Sequence, residues 1–212
     1  MQLEYIIYPI YTLGPGKRVG IWTIGCSHNC PNCTSHELHQ ENIDKDIPLS
    51  KIYKSLKAVP DKIDGVTITG GEPFDQIDEL IELVKFISQS ITKDILIYSG
   101  YTFSELHELY CNKIFKVLDN ISILIDGPYI EEQNDNKTPL VGSLNQTIFL
   151  VKKEYKKKYV EYISKPRFFQ NFQLNDIILS VGLPFQNDKI NISKSLIEKG
   201  VYNESTTPPK MA

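Results

Sequence analysis

Nothing in this chain of 212 residues is apolar for long enough to cross a bilayer as a helix. No hydrophobic run approaches the ~18 residues that such a helix needs. The opening Met1-Gln2-Leu3-Glu4-Tyr5 also lacks the charged-then-apolar pattern of a secretory signal, so a cytoplasmic protein is expected. Basic charge is not in excess either: 23 Lys and Arg against 26 Asp and Glu give a formal charge of −3. A protein whose main work is gripping phosphate backbones needs a surplus of cations, so no nucleic-acid partner is expected. Cysteine is scarce, with four in the chain, too few for a disulfide framework. Hydrophobic residues at 41% and charged ones at 23% exclude disorder over most of the length, which suits one domain.

Scarcity gives the cysteines weight, because Cys26, Cys30 and Cys33 crowd together while Cys111 stands alone and reads as a core or surface thiol. An extended start from Tyr5 to Tyr11 leads into Gly14-Pro15-Gly16-Lys17-Arg18, a turn by composition. Val19 to Ile24 then reads as a strand ending at the cysteine cluster. From Lys51 to Val59, apolar Ile52, Leu56 and Val59 fall at helical spacing, with Ser50 as cap and Pro60 as stop. Gly65 to Thr69 is a short β-branched strand that runs into Gly70-Gly71-Glu72-Pro73. Ile77, Leu80, Ile81, Val84 and Ile87 keep the pattern of a helix lying on a sheet. A strand from Ile95 to Ser99, one helical stretch carrying Phe103, Leu106, Tyr110, Ile114 and Val117, and a strand from Ile121 to Asp126 continue the alternation. Short connections predict parallel strands.

Asp126 to Gln146 breaks this rhythm with Gly, Pro, Asn and Asp, and a loop so long is usually functional or mobile. A strand from Thr147 to Val151, a Lys- and Tyr-rich helix from Lys152 to Ile163, a strand from Asp176 to Val181 and a helix from Asn191 to Lys199 follow. The tail from Asn203 has no core pattern, so the chain divides into a single domain over 1–202 and a flexible tail over 203–212. The strands are fewer than the eight of a closed barrel. The expected fold is therefore α/β, an incomplete TIM-type barrel of parallel strands or an open parallel sheet. Ligands in either form sit at the carboxyl ends of the strands, where the cysteine loop and Gly70-Gly71-Glu72 both fall.

The spacing C-x3-C-x2-C brings three thiols onto one loop. A closed structural site wants four protein ligands, so three mean a fourth from elsewhere or a position left open. Zinc with His36 as fourth ligand is one reading, with His28 and His39 as spare candidates. A [4Fe–4S] cluster with one iron not held by protein is the other. Gly70-Gly71-Glu72-Pro73 offers unencumbered carbonyls and a carboxylate suited to an ammonium group, although two glycines before a helix also make an ordinary turn.

The cysteine spacing followed by Gly-Gly-Glu-Pro resembles the radical S-adenosylmethionine superfamily. Gly14-Pro15-Gly16-Lys17-Arg18, Gly25-Cys26 with Cys30-Pro31-Asn32-Cys33, Ile97-Tyr98-Ser99-Gly100-Tyr101, Leu124-Ile125-Asp126-Gly127 and Gly142-Ser143-Leu144-Asn145-Gln146 resemble, more narrowly, the activating proteins of anaerobic ribonucleotide reductase. That similarity runs from about Leu13 to Leu150. It implies that Cys26, Cys30 and Cys33 hold three irons of the cluster while S-adenosylmethionine chelates the fourth. It further implies that Gly70, Gly71 and Glu72 receive the amine of that cofactor, and that the backbone of Asn32, Cys33 and Thr34 runs beside the adenine. Ser99 and Asp126 end strands on the same rim and are candidates for touching the cofactor, or else cap and turn residues.

The implied activity is hydrogen abstraction by a 5′-deoxyadenosyl radical from a glycine of a glycyl-radical enzyme, the large subunit of anaerobic ribonucleotide reductase. Flavodoxin or ferredoxin is the implied electron donor, and Lys152 to Lys158 offers either a docking patch for it or a solvated helix face. Gly127 to Asn145 is a candidate docking segment for the partner or a plain crossing of the barrel rim. Two departures stand out. Asn32 occupies a position that is often aromatic in the superfamily, although a small residue there is typical of the activators. Val141-Gly142-Ser143 replaces an Arg-Gly-Ser stretch, which removes a cationic contact. A small radical enzyme modifying a peptide or metabolite and, more distantly, a zinc-stabilised binding module are the alternative functions.

Overall fold

Strands buried on both faces organise the computed structural model, which describes residues 1–174 and 177–186. Six strands form one sheet in the order β1 (Leu3–Ile10), β2 (Arg18–Thr23), β3 (Gly65–Gly70), β4 (Ile95–Tyr98), β5 (Ile123–Asp126) and β6 (Thr147–Leu150). The four inner strands, β2 to β5, run parallel. Both edges correct the expectation of an all-parallel sheet, because β1 pairs antiparallel with β2 and β6 antiparallel with β5. Neither the β1–β2 nor the β5–β6 connection contains an α-helix to carry the chain back to the starting end, so the strand returns in the opposite direction. The result is a mixed α/β fold with a mostly parallel central sheet.

One face of the sheet, including Val19, Ile21, Val66, Ile68 and Ile97, packs under α1 (Leu49–Lys57), α2 (Ile77–Ser90), α3 (Phe103–Tyr110) and α4 (Asn112–Leu118). From α2, Leu80, Leu83, Val84 and Ile87 are fully buried there, as their spacing requires. The other face carries Trp22, Leu96, Ile123 and Ile125. It is covered by α5 (Lys156–Ile163), by Leu140 and Val141, and by a separate two-stranded sheet of β7 (Gln170–Leu174) and β8 (Ile177–Val181). Double coverage explains why β2 is buried along its whole length rather than alternating.

Two local expectations are corrected. The single helix expected from Phe103 to Val117 breaks at Cys111, whose φ of 47° no helix tolerates. Cys111 itself is exposed. Ser50 lies inside α1, whose N-cap position is Pro48. The expected strand from Asp176 appears as β8 from Ile177, with Asp176, the helix from Asn191 to Lys199 and the tail outside the described residues. Among the described residues no helix is long and apolar enough to cross a membrane.

At the amino end of the parallel strands lies a buried ionic knot. Arg18 is fully buried and donates to Thr67 Oγ1 at 2.7 Å and to the Val66 carbonyl at 2.7 Å, with Nη1 standing 3.3 Å from Asp94 Oδ1. Lys158 and Tyr159 reach Asp94 from α5, each at 2.6 Å. Burial alone raises a carboxyl pKa, but Arg18, Lys158 and Tyr159 outweigh it and hold Asp94 below its usual range. One lysine of the basic stretch is thus an internal fastener. A second fastener, Arg167, donates to the carbonyls of Thr138 and Val141 at 2.8 and 2.6 Å and to Asn134 Oδ1 at 2.8 Å. A guanidinium therefore does reach position 141, from a segment beyond the sequence resemblance.

Candidate functional site

β2 delivers the chain through Ile24 and Gly25 to the cysteine loop. Gly25 N–H donates to the Leu38 carbonyl at 2.9 Å and Cys26 N–H to the His39 carbonyl at 3.0 Å, so the far side of the loop is drawn back onto its start. A turn closed by Cys33 N–H on the Cys30 carbonyl at 3.3 Å brings those cysteines near each other, with Asn32 in the left-handed region at φ 60°. The thiols of Cys26, Cys30 and Cys33 are half-buried, while Asn32 and Thr34 are exposed. Burial, opposed by the N–H groups of His28 and Asn29 and reinforced by the Glu72 and Asp75 carboxylates, pushes the Cys26 thiol up. Such a thiol becomes a thiolate when a metal compensates its charge.

The second motif docks directly on the first. Gly71 N–H donates to the Thr23 carbonyl at 2.8 Å and Glu72 N–H to the Gly25 carbonyl at 2.7 Å. A Cβ on Gly70 would stand 2.4 Å from Thr23 N, and its φ of 111° is itself a glycine conformation. Glu72 caps the 3-10 turn Pro73–Gln76, accepting from Phe74 N–H at 2.9 Å, with Pro73 where its missing N–H costs nothing. The same carboxyl accepts from Ser99 Oγ at 3.1 Å and Gly100 N–H at 2.7 Å. With Glu72 only 1% exposed, burial raises its pKa to about 8 despite those donors.

The structure thus gathers Cys26, Cys30, Cys33, Gly70, Gly71, Glu72 and Ser99 at the carboxyl ends of β2, β3 and β4. Asp126 is not part of this hydrogen-bonded group: one oxygen accepts from Phe103 N–H at 2.6 Å, the start of α3, and the other from Thr147 N–H at 3.2 Å. Its carboxylate ties the start of α3 to the start of β6. Sequence reasoning missed Asp75 and Tyr101, which bind Ser27 inside the cysteine loop; the signal was available, since Asp75 lies just past Glu72 and Tyr101 just past Ser99.

Beside the loop opens a cavity of about 270 Å³, lined by Trp22, Thr69 and Tyr98 at the strand ends and by Thr34, Ser35, Glu37 and Leu38 after the cysteines. Phe169, Leu179, Val181 and Leu183 from the β7–β8 segment form its opposite wall.

The donor set fits a cluster better than zinc. Closed zinc needs four ligands around one ion, and the loop supplies three cysteines. His36 is exposed and packs against the His39 ring, 4.6 Å between centroids. A cluster asks instead for one thiolate per iron, which three cysteines on one loop provide.

The model of the 4Fe-4S single cluster domain family matches residues 12–149. Relatives named anaerobic ribonucleoside-triphosphate reductase-activating protein are 29% identical in Escherichia coli K12, over 66% of this chain and 94% of the relative, and 32% identical in Vibrio cholerae, over 66% and 93%. The protein of that name from Enterobacteria phage T4 is 31% identical over 68% of this chain and 90% of its own length. No solved structure matches. About a third of this chain lies outside the match to the first relative, and the family model ends before α5 and the β7–β8 hairpin. By a family model spanning most of its length and by relatives matched almost end to end, the chain belongs to the 4Fe-4S anaerobic ribonucleoside-triphosphate reductase-activating family, enzymes whose cofactors are a [4Fe–4S] cluster and S-adenosylmethionine.

Proposed function

We propose that this protein is a cytoplasmic radical S-adenosylmethionine enzyme that places a radical on a glycine of anaerobic ribonucleotide reductase. The observation that carries the reading is the docking of Gly71 and Glu72 on Thr23 and Gly25, which makes the cysteine loop and the Gly-Gly-Glu turn one site. When bound, the cluster and S-adenosylmethionine supply a one-electron cleavage of the sulfonium to methionine and a 5′-deoxyadenosyl radical, which takes a hydrogen atom from the glycine.

This chain's residues hold and orient. Cys26, Cys30 and Cys33 supply a thiolate each, and the turn at Gly70 and Gly71 presents backbone to the amine of S-adenosylmethionine. Glu72 stands behind that turn, where a nearby ammonium draws its carboxyl back to the charged form. Thr34 lines the cavity, which supports the stretch Asn32 to Thr34 as the adenine side. Ser99 positions Glu72 by its 3.1 Å hydrogen bond. In this reading the sheet is an incomplete TIM-type barrel, the chain up to residue 202 is one domain, and α5 fills the concave side. Flavodoxin or ferredoxin docks on the lysines of residues 152–157, Lys158 being taken by Asp94. Leu144, 61% exposed on a loop that Arg167 anchors, suits the partner-docking role of residues 127–145.

The test is anaerobic incubation of reduced, reconstituted protein and S-adenosylmethionine with anaerobic ribonucleotide reductase, followed by electron paramagnetic resonance. A glycyl doublet with release of 5′-deoxyadenosine is expected, and cleavage without any protein radical overturns the choice of partner. The hairpin wall beyond the family match favours one second reading, a radical enzyme acting on a peptide or small metabolite, which that outcome would promote.

A further inference from the structure

The residues between the first two ligand cysteines are held by two elements outside the loop. Asp75 grips Ser27 twice, accepting its backbone N–H at Oδ2 over 2.9 Å and its hydroxyl at Oδ1 over 3.1 Å. The Tyr101 hydroxyl closes a triangle, 2.7 Å from Ser27 Oγ and 2.9 Å from Asp75 Oδ1. Two hydroxyl protons serve these contacts, and only the carboxylate can accept both. His28 then packs edge-on against the Tyr101 ring at 4.1 Å, in space left by Gly100, where a Cβ would stand 2.6 Å from His28 Cδ2. Asp75 belongs to the 3-10 turn that Glu72 caps, so the segment docked on Gly25 also grips the far side of Cys26.

We propose that Asp75, with Tyr101 as its hydroxyl partner, is a positioning residue that fixes the cluster-binding loop before iron arrives and lowers the reduction potential of the bound cluster. The proposal rests on Cys26, Cys30 and Cys33 being cluster ligands. A loop already fixed loses less freedom on binding, and outer hydrogen bonds that orient a metal site tune its affinity. Reduction adds negative charge to a centre that already carries thiolates. A carboxylate held against the residue next to Cys26 opposes that charge, and net charge and hydrogen bonding are the terms that set cluster potentials. The bonds to Asp75 are charge-assisted, so its asparagine replacement changes the field while keeping most of the shape.

The experiment compares wild type with Asp75→Asn and Tyr101→Phe in three measurements: iron and sulfide per chain, the midpoint potential of the reconstituted cluster, and the alkylation rate of Cys26 in apo-protein, read by mass spectrometry. Asp75→Asn is expected to move the potential upward and to speed alkylation. Tyr101→Phe keeps the carboxylate and is expected to speed alkylation while leaving the potential close to wild type. Unmoved potential in Asp75→Asn with a full cluster overturns the tuning role, and unchanged alkylation in both variants overturns the positioning role. Wild-type protein that takes up no iron overturns instead the reading of the three cysteines, on which this one depends.

Discussion

Gly71 has no room for a side chain because of Gly25: a Cβ built on it would stand 2.1 Å from the Gly25 carbonyl oxygen, the same oxygen that accepts Glu72 N–H at 2.7 Å. Two motifs more than forty residues apart in sequence are therefore locked backbone to backbone at the mouth of the cysteine loop.

Replacing Gly71 by Val must displace that loop as well as crowd the proposed amine site. Iron content after reconstitution and S-adenosylmethionine affinity should both fall. Full iron with wild-type affinity in anaerobic titration would show that the contact is dispensable.

Each of Cys26→Ala, Cys30→Ala and Cys33→Ala should abolish the [4Fe–4S] absorption and S-adenosylmethionine cleavage, because in the proposed reading each thiolate serves a separate iron. Cys111→Ser, altering an exposed thiol at the α3–α4 break, should preserve both. Loss of iron in the Cys111 variant alone would contradict the ligand assignment.

Glu72 predicts a pH dependence of the apo-protein. Burial raises its folded pKa from 4.5 to about 8, so the folded state favours the protonated form. Stability from this group is full below the unfolded value and declines as pH rises toward 8, by on the order of 3 kcal/mol at pH 7. Urea unfolding at several pH values should show this slope in wild type and a flatter one in Glu72→Gln. Equal slopes would mean that the carboxyl is ionised at low cost.

Asp94→Ala strands Arg18 as a buried, uncompensated cation and should cost about 3–5 kcal/mol in urea unfolding. Lys158→Met, whose ammonium is partly solvated, should cost far less and leave iron loading intact. A mild Asp94→Ala would show that water enters the knot.

Trp22, the single tryptophan, lines the cavity against the hairpin. Leu179→Ala should therefore raise acrylamide quenching of its fluorescence without changing iron content. Unaltered quenching would mean that the hairpin does not shield the cavity.

The sequence made the rim legible because glycine and cysteine carry their geometry in their identity: Gly70 needs its φ, and three spaced thiols need metal. The helix α2 was equally plain, since Ile77 to Ile87 repeat one face over several turns. Periodicity missed the break at Cys111 because Tyr110 and Ile114 stay on the same side across it. It also missed β7, where Gln170 to Leu174 are a strand only through pairing with β8. Arg167 reaching the Val141 carbonyl and Asp126 turning to backbone amides depend on contacts between distant segments, which no local pattern encodes.

β2 begins at Arg18, inside the ionic knot, and ends at Thr23, whose carbonyl holds Gly71. At ~3.3 Å per residue its ends lie roughly 16 Å apart, and the hydrogen bonds at the two ends share no partner. Substitutions that far apart combine additively. Hardening the knot and retuning the rim are thus separable tasks, open to an engineer or to evolution in either order.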